Sequence, residues 1–282
     1  MATKLDIKLA KTLLPKRNPL SHKGQNGRVL VIGGSKEYFG SPALVGLASL
    51  RAGADLCYVL APEYIAPTVA GYSPDLIVWE YSGSYLNRSA LDLLPELSKR
   101  TDALVIGNGL TKTPDVLDTV RHIVSVWPKP IVIDADAIMP GLKPASPSVV
   151  YTPHLVEFER LGGEKPSKDQ AARERQVAKL AAKLGAAVLL KGVVDIASDG
   201  KSTITNSTGN AGMTAGGTGD TLAGICAAFL SQGLRPVEAA ALAAFVNGDA
   251  GDKAFKEFGN SLLATDIINK LPATLKTLSG NR

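Results

Sequence analysis

The sequence predicts an α/β fold: a central, mostly parallel sheet flanked by helices on both faces. Three observations carry this. Short apolar runs punctuate the chain and are continuous rather than alternating, as strands buried on both faces are. Helical periodicities lie between them, which is the order of an α/β domain. The composition is that of an ordinary globular protein: 282 residues, 45% hydrophobic, 20% charged and 5% aromatic. It excludes a disordered chain, a collagen-like repeat and a disulfide-rich mini-protein. A chain of this length buries its core without staples.

The elements follow in order. Strands are expected at Arg28-Val-Leu-Val-Ile-Gly33, Asp55-Leu-Cys-Tyr-Val-Leu60, Leu76-Ile-Val-Trp79, Ala103-Leu-Val-Ile-Gly107, Pro130-Ile-Val-Ile-Asp134 and Ala187-Val-Leu-Leu-Lys191. A helix is expected over 41–53, where Leu44, Leu47, Ala48 and Arg51 recur at helical spacing and Ser41-Pro42 reads as N-cap and first-turn proline. Others are expected over 113–126 and 171–184, the latter with Val177, Leu180, Ala181 and Leu184 in one stripe. Val193–Ala197 and Ser202–Thr205 flank Ser198-Asp-Gly-Lys201 as a hairpin, and 218–270 reads as almost wholly helical. With no Pro/Gly/Ser linker and no internal repeat, the expected organisation is a basic arm, 1–27, and a single domain, 28–282.

The net charge of +5 is unevenly placed: residues 1–28 carry +6, leaving −1 for the rest. The arm reads either as a solvated surface segment or as a device that steers a phosphorylated ligand. No basic stripe is interleaved with aromatics, so a nucleic-acid partner is not expected. Cys57 and Cys226 lie in apolar runs and read as buried, reduced thiols of a cytoplasmic protein. No stretch is apolar enough to suggest a membrane partner, and the N-terminus lacks the core of a secretory signal.

The densest chemical signal is Gly209-Asn-Ala-Gly-Met-Thr-Ala-Gly-Gly-Thr-Gly-Asp220. Leu222, Ile225, Cys226, Phe229 and Leu230 recur at helical spacing after it, so a helix starts near Gly219. Glycines let backbone amides turn inward and approach a ligand. A helix N-terminus adds unsatisfied N–H groups and a positive dipole end, and together they suit a phosphate. A glycine-rich turn with Asp220 as helix cap is the competing account.

Gly-Gly-Thr-Gly-Asp opening a helix resembles the anion-hole signature of the ribokinase-like family. Further segments resemble the ADP/ATP-dependent NAD(P)H-hydrate dehydratases within it: His22-Lys-Gly-Gln-Asn-Gly-Arg-Val-Leu-Val-Ile-Gly-Gly-Ser35, Tyr38-Phe-Gly-Ser-Pro-Ala43, Leu50-Arg-Ala-Gly-Ala-Asp55, Ile106-Gly-Asn-Gly-Leu110, Thr152-Pro-His-Leu-Val-Glu157, Leu189-Leu-Lys-Gly192 and Gly209-Asn-Ala-Gly-Met213. The likeness spans about 22 to 270 and keeps its order.

The resemblance implies roles residue by residue. Asp220 would be the base that takes the proton from the hydroxyl attacking a nucleotide's terminal phosphate. As an aspartate beside a helix N-terminus it is expected to be a weak base, which a loose phosphoryl-transfer transition state tolerates. Gly216, Gly217, Thr218 and Gly219 would hold the transferring group. Lys191, Gly192, Val193, Val194 and Asp195, with Asn210, would bind AMP, ADP or ATP. Asp195 stands where many relatives carry a hydroxyl or apolar residue. Ala43, Gly109 and His154, with Asp220, would bind the hydrate. Glu157 would help organise Mg2+ through water.

Read without the resemblance, several of these stay open. Gly33-Gly34-Ser35 lacks G-x-G-x-x-G and could be a bare strand-to-helix turn. Gly107-Asn-Gly109 could be turn chemistry. His154 and Glu157 could be a surface pair, Lys191 a solvated strand end, and Asp134 and Asp136 either helix caps or ligands at the binding crevice.

The reaction implied is repair of damaged nicotinamide coenzyme: phosphorylation of the S-hydrate of NADH or NADPH by ADP or ATP, then loss of phosphate. The alternative is a kinase of the hydroxymethylpyrimidine or thiazole type, which would leave a stable phosphorylated product. A non-catalytic nucleotide-binding protein is a third reading. The family also implies a homo-oligomer and a separate NAD(P)H-hydrate epimerase as partner.

Overall fold

Ten strands form one sheet in the computed structural model, which describes residues 2–280. The chain order is β1 (Thr3–Lys4), α1 (Ile7–Leu13), β2 (Arg28–Ile32), α2 (Ser41–Arg51), β3 (Leu56–Pro62), α3 (Ala66–Tyr72), β4 (Leu76–Tyr81), α4 (Leu94–Arg100), β5 (Ala103–Ile106), α5 (Pro114–Val126) and β6 (Ile131–Ile133). It continues with β7 (Val149–Tyr151), α6 (Leu155–Arg160), α7 (Gln170–Leu184), β8 (Ala187–Leu190), β9 (Asp195–Ser198), β10 (Thr203–Asn206), α8 (Thr218–Ser231), α9 (Pro236–Phe258) and α10 (Ala264–Ser279).

The strands stand in the order β1-β10-β9-β8-β7-β6-β5-β2-β3-β4. Among the described residues only β9 runs against its neighbours, as one arm of the expected hairpin. The continuous apolar runs divide by parity. Val29, Val31, Val59, Val105 and Val132 face a layer built from α1, α2, α3, α8, α9 and α10. Leu30, Ile32, Leu60, Ile106 and Ile133 face α4 to α7. A strand covered on both faces has no polar side to alternate with, which explains the unbroken runs.

The six expected strands and the hairpin are present. The three-residue β7 escaped because it is brief and follows a Pro/Ser-rich loop. Helix α2 begins one residue early: Gly40 is the N-cap, without a side-chain cap, and Ser41 already lies inside the helix. Its hydroxyl is turned to the chemistry described below. Cys57 and Cys226 are buried free thiols.

The basic arm docks. β1 pairs in parallel with β10, and the N–H of Leu5 donates to the carbonyl of Thr205 at 2.8 Å. Asp6 caps α1 through the N–H of Leu9, while Leu5 and Ala10 are buried. Lys4, Lys8, Lys11, Lys16 and Lys23 remain exposed, so the arm combines an apolar seat with a solvated basic surface.

The strand order reverses between β2 and β5. The carboxyl ends of β2, β5, β6, β7 and β8 therefore open on one crevice, the position at which ligands bind in open α/β sheets.

Candidate active site

The crevice floor is built where main chain meets main chain. Gly33 follows β2, and a Cβ there would stand 2.6 Å from the carbonyl oxygen of Asn108. Gly107 follows β5 with φ +130°, and a Cβ there would penetrate the carbonyl oxygen of Asp134. Gly109, with φ +72°, lies against Tyr38 and Ser41, which places it beside the first turn of α2 and Ala43. Ala43 itself is buried.

Asp134 closes β6 and is 2% exposed. Its Oδ1 accepts from the Thr152 hydroxyl at 2.7 Å and from Lys191 Nζ at 2.9 Å. Its Oδ2 accepts from Asn108 Nδ2 at 2.9 Å. Asp134 therefore does not cap the following turn: it is a buried carboxylate neutralised by a lysine from the end of β8. Burial alone would lower the Lys191 ammonium, but the charges of Asp134, Glu157 and Asp220 outweigh it and hold its pKa above the ordinary value.

Gly217 is the N-cap of α8, with φ +89°; a Cβ there would meet Leu44 at 2.6 Å and Ala264 at 3.0 Å. Thr218, Gly219 and Asp220 form the first turn, so Asp220 is not the cap. Asp220 Oδ1 accepts from Asn108 Nδ2 at 2.7 Å. Burial pushes its carboxyl up to about 6. The Asn108 amide opposes this, the Asp134 charge adds to it, and the Ser41 hydroxyl and Lys191 pull it back. The helix N-terminus was expected to keep this aspartate a weak base; desolvation wins, and it becomes a stronger one.

A cleft of about 560 Å³ opens beside this turn. Lys191, Gly192, Val193, Asp195, Asn210, Thr218 and Gly219 line it, on the scale of a small-molecule site. Lys191 Nζ lies 3.6 Å from where a Gly219 Cβ would be, so its charge sits at the head of α8. Gly216 faces open space and Val193 is 96% exposed at the rim. Val194 lies between cleft residues 193 and 195 but is not part of the lining. Asp195 Oδ1 accepts from the Gly192 N–H at 3.0 Å, and its Oδ2 accepts from Asn206 Nδ2 at 3.1 Å. Burial raises the Asp195 pKa against those two bonds. Asn210 Nδ2 donates to Asp252 at 2.9 Å, which fixes the glycine loop on α9.

His154 is the N-cap of α6. Its Nδ1 accepts from the N–H groups of Val156 and Glu157, at 3.2 and 3.4 Å. Glu157 Oε2 accepts from the His154 N–H at 2.9 Å, completing a capping box. The other Glu157 oxygen lies 3.3 Å from His154 Nε2. The pair is thus a helix cap with a half-exposed imidazole and a buried carboxylate. No group of three or more His, Cys, Asp or Glu among the described residues is arranged to hold a metal.

Asn108 and Thr152 stand in segments that carry the resemblance but drew no role of their own, and neither did Thr208 and Asn247, which line the cleft, or Asp252, which anchors Asn210. Asn247 accepts from the Thr221 hydroxyl at 2.7 Å and donates to the Thr218 carbonyl at 3.2 Å. A signal for it existed: a lone amide ending the apolar run Ala239–Val246 demands a partner. Asn108 had none, since an asparagine between glycines reads as a turn.

A family model described as NAD(P)H-hydrate dehydratase matches residues 29–273. The bifunctional NAD(P)H-hydrate repair enzyme Nnr of Pyrobaculum aerophilum is 44% identical over 260 residues, 91% of this chain and 52% of that protein. The chain thus spans about half the length of several curated relatives it matches. The ADP-dependent (S)-NAD(P)H-hydrate dehydratase of Nitrosopumilus maritimus is 38% identical over 277 residues, 96% of each chain. Among solved structures, the ADP/ATP-dependent NAD(P)H-hydrate dehydratase of Bacillus subtilis, co-crystallised with ATP and Mg2+, is 26% identical with a TM-score of 0.84, over 98% of this chain and 99% of that one. The fold is ribokinase-like, and a family model covering most of the sequence together with a near full-length relative make this chain a member of the NAD(P)H-hydrate dehydratase family.

Proposed function

We propose that the protein repairs hydrated nicotinamide coenzyme, dehydrating the S-epimer of NADH or NADPH hydrate at the expense of ADP. One observation carries the reading. A buried carboxylate of raised pKa and a lysine ammonium converge on the glycine-led start of α8, at the edge of a nucleotide-sized cleft. The names of the Nitrosopumilus and Bacillus relatives support ADP as donor and leave ATP as a second one.

The hydrate carries a hydroxyl on the carbon beside the ring nitrogen. Asp220 takes its proton as the oxygen attacks the terminal phosphorus of the nucleotide. The N–H groups of 216–219 receive the migrating phosphoryl oxygens, and Lys191 offsets their charge. The ring nitrogen's lone pair then expels phosphate, and loss of a proton from the neighbouring carbon restores the dihydropyridine. ADP and hydrate become AMP, phosphate and NADH. Gly192, Val193, Asp195 and Asn210, which line the cleft, hold the adenosine end, with Val194 setting the path of the segment between them, and Ala43, Gly109 and the half-exposed His154 ring hold the nicotinamide end.

For Mg2+ the donor set is thin: both Glu157 oxygens face His154, and Asp134 is filled by Asn108, Thr152 and Lys191. The protein alone does not build a cage, so the ion is proposed to arrive on the nucleotide's phosphates, with Glu157 touching it through water. A cytoplasmic homo-oligomer served by an epimerase completes the proposal, on the strength of the family likeness.

The test is incubation with NADH hydrate, Mg2+ and ADP or ATP. Recovery of the near-ultraviolet absorbance with one phosphate released per NADH is expected. A stable phosphorylated product would overturn the reading in favour of a kinase.

A further inference from the structure

Asn108 is 1% exposed and sits between the two glycines that follow β5. Its single amide nitrogen has two hydrogens, and both are committed to carboxylates from different elements: Asp134 Oδ2 at 2.9 Å and Asp220 Oδ1 at 2.7 Å. Its own Oδ1 is buried without a partner. The amide cannot be turned over, because Oδ1 would then oppose two carboxylate oxygens. Nor can the turn slide. The Asn108 carbonyl accepts from the Gly34 N–H at 2.8 Å, and Gly107 and Gly109 on either side have φ of +130° and +72°. Asp134 is anchored in turn by Thr152 and Lys191. Asp220 is therefore tied through one amide to a carboxylate that is fixed on the sheet and neutralised.

The tie engages Oδ1 of Asp220 and not Oδ2, and the Ser41 hydroxyl also reaches this carboxyl. Oδ2 lies 4.0 Å from where a Gly217 Cβ would be, on the side of the glycine turn. An aspartate at this place without the tie could rotate about χ1 and χ2 and swing either oxygen away.

We propose that Asn108 is a positioning residue that braces Asp220 against Asp134, so that Asp220 Oδ2 is presented to the substrate hydroxyl. The proposal rests on the reading of Asp220 as the base. An amide donor also favours the charged, proton-accepting form of the carboxylate. The other groups facing Asp220 act in both directions. Asp134 at the end of β6 favours its protonated form, while Lys191 at the end of β8 and the Ser41 hydroxyl of α2 favour the charged one. Glu157 acts on Lys191. Asp266, in the first turn of α10, is occupied by the Leu263 N–H.

The experiment compares the full-length protein with Asn108→Ala and Asn108→Asp, recording kcat and KM from pH 5 to 9 with NADH hydrate and ADP. Melting with and without ADP identifies folded variants. Asn108→Ala is expected to lower kcat about 10- to 100-fold near pH 6.5. Its acid limb should move up by about half a unit or more, so that part of the loss returns near pH 8.5. The KM for ADP should change less than about threefold. Asn108→Asp, which keeps the shape and adds a charge, should move the limb further. An unchanged kcat, or a loss equal at every pH with the limb unmoved, overturns the brace. Asp220→Asn separates the two failures. If it remains active, the base assignment falls and the brace with it. If it is dead while Asn108→Ala behaves like the parent, only the brace falls.

Discussion

Asp220 is a site where activity and stability pull apart. Its folded pKa, about 6, stands above the ordinary 3.8. The folded state is favoured most below about pH 4, where this carboxyl is protonated, and loses that advantage as pH rises through about 6. At neutral pH the buried charge costs up to about 3 kcal/mol. Asp220→Asn should therefore melt roughly 2–6 °C higher at pH 7.5, with the gain shrinking towards pH 4, while turnover falls to background. Melting curves at several pH values check the first part and NADH recovery the second. The same group predicts that kcat/KM of the parent falls below about pH 6, as the base becomes protonated. Gly217 is constrained differently. With φ +89° and Leu44 at 2.6 Å from any Cβ, Gly217→Ala should cost about 1–3 kcal/mol in urea unfolding and weaken ADP binding, because the turn must open to admit the methyl.

Among the elements, the docked arm makes a sharp prediction. Leu5 is buried where β1 extends the sheet beyond β10, and Leu5→Ala should cost about 2–3 kcal/mol. Neutralising the exposed Lys8 and Lys11 should change stability by less than about 0.5 kcal/mol. Urea titration of the variants separates the apolar seat from the charge. The arm also marks what a sequence conveys. Its lysines were conspicuous, while the apolar seat formed by Leu5 and Ala10 with Leu9, Leu13 and Leu14 is carried by a seven-residue helix too short for its stripe to stand out among them. The core strands were legible because burial on both faces leaves long apolar runs, as in Val29 to Ile32. Helices α3 and α4, seven residues each, were too short for a periodicity to emerge. In the site, glycines with an aspartate at a helix start are a local pattern and could be read. The bonds of Asn108 to residues 26 and 112 positions away are not local, and only the folded chain brings them together.

At the scale of the molecule, one sheet carries two layers of helices and gathers five strand ends into a single crevice. A ligand held there ties β8 and the β9–β10 hairpin to α8 and α9, so it should stabilise the whole fold cooperatively. ADP at about 100 times its Kd should raise the unfolding free energy by about 2.7 kcal/mol, and Asp220→Asn should retain that response. A melting curve indifferent to ADP in the parent would show that the folded protein does not bind it and would overturn the nucleotide site. The packing of Gly33 against the Asn108 carbonyl and of Gly107 against that of Asp134 has a longer reach. Where peptide groups touch directly no methyl can be added: Gly33→Ala or Gly107→Ala must push the Asn108 or Asp134 carbonyl aside, and the side chains of those two residues shift with it. Val193, exposed at the rim of the cleft, meets no such constraint, so a substitution there can reshape what enters without disturbing what reacts.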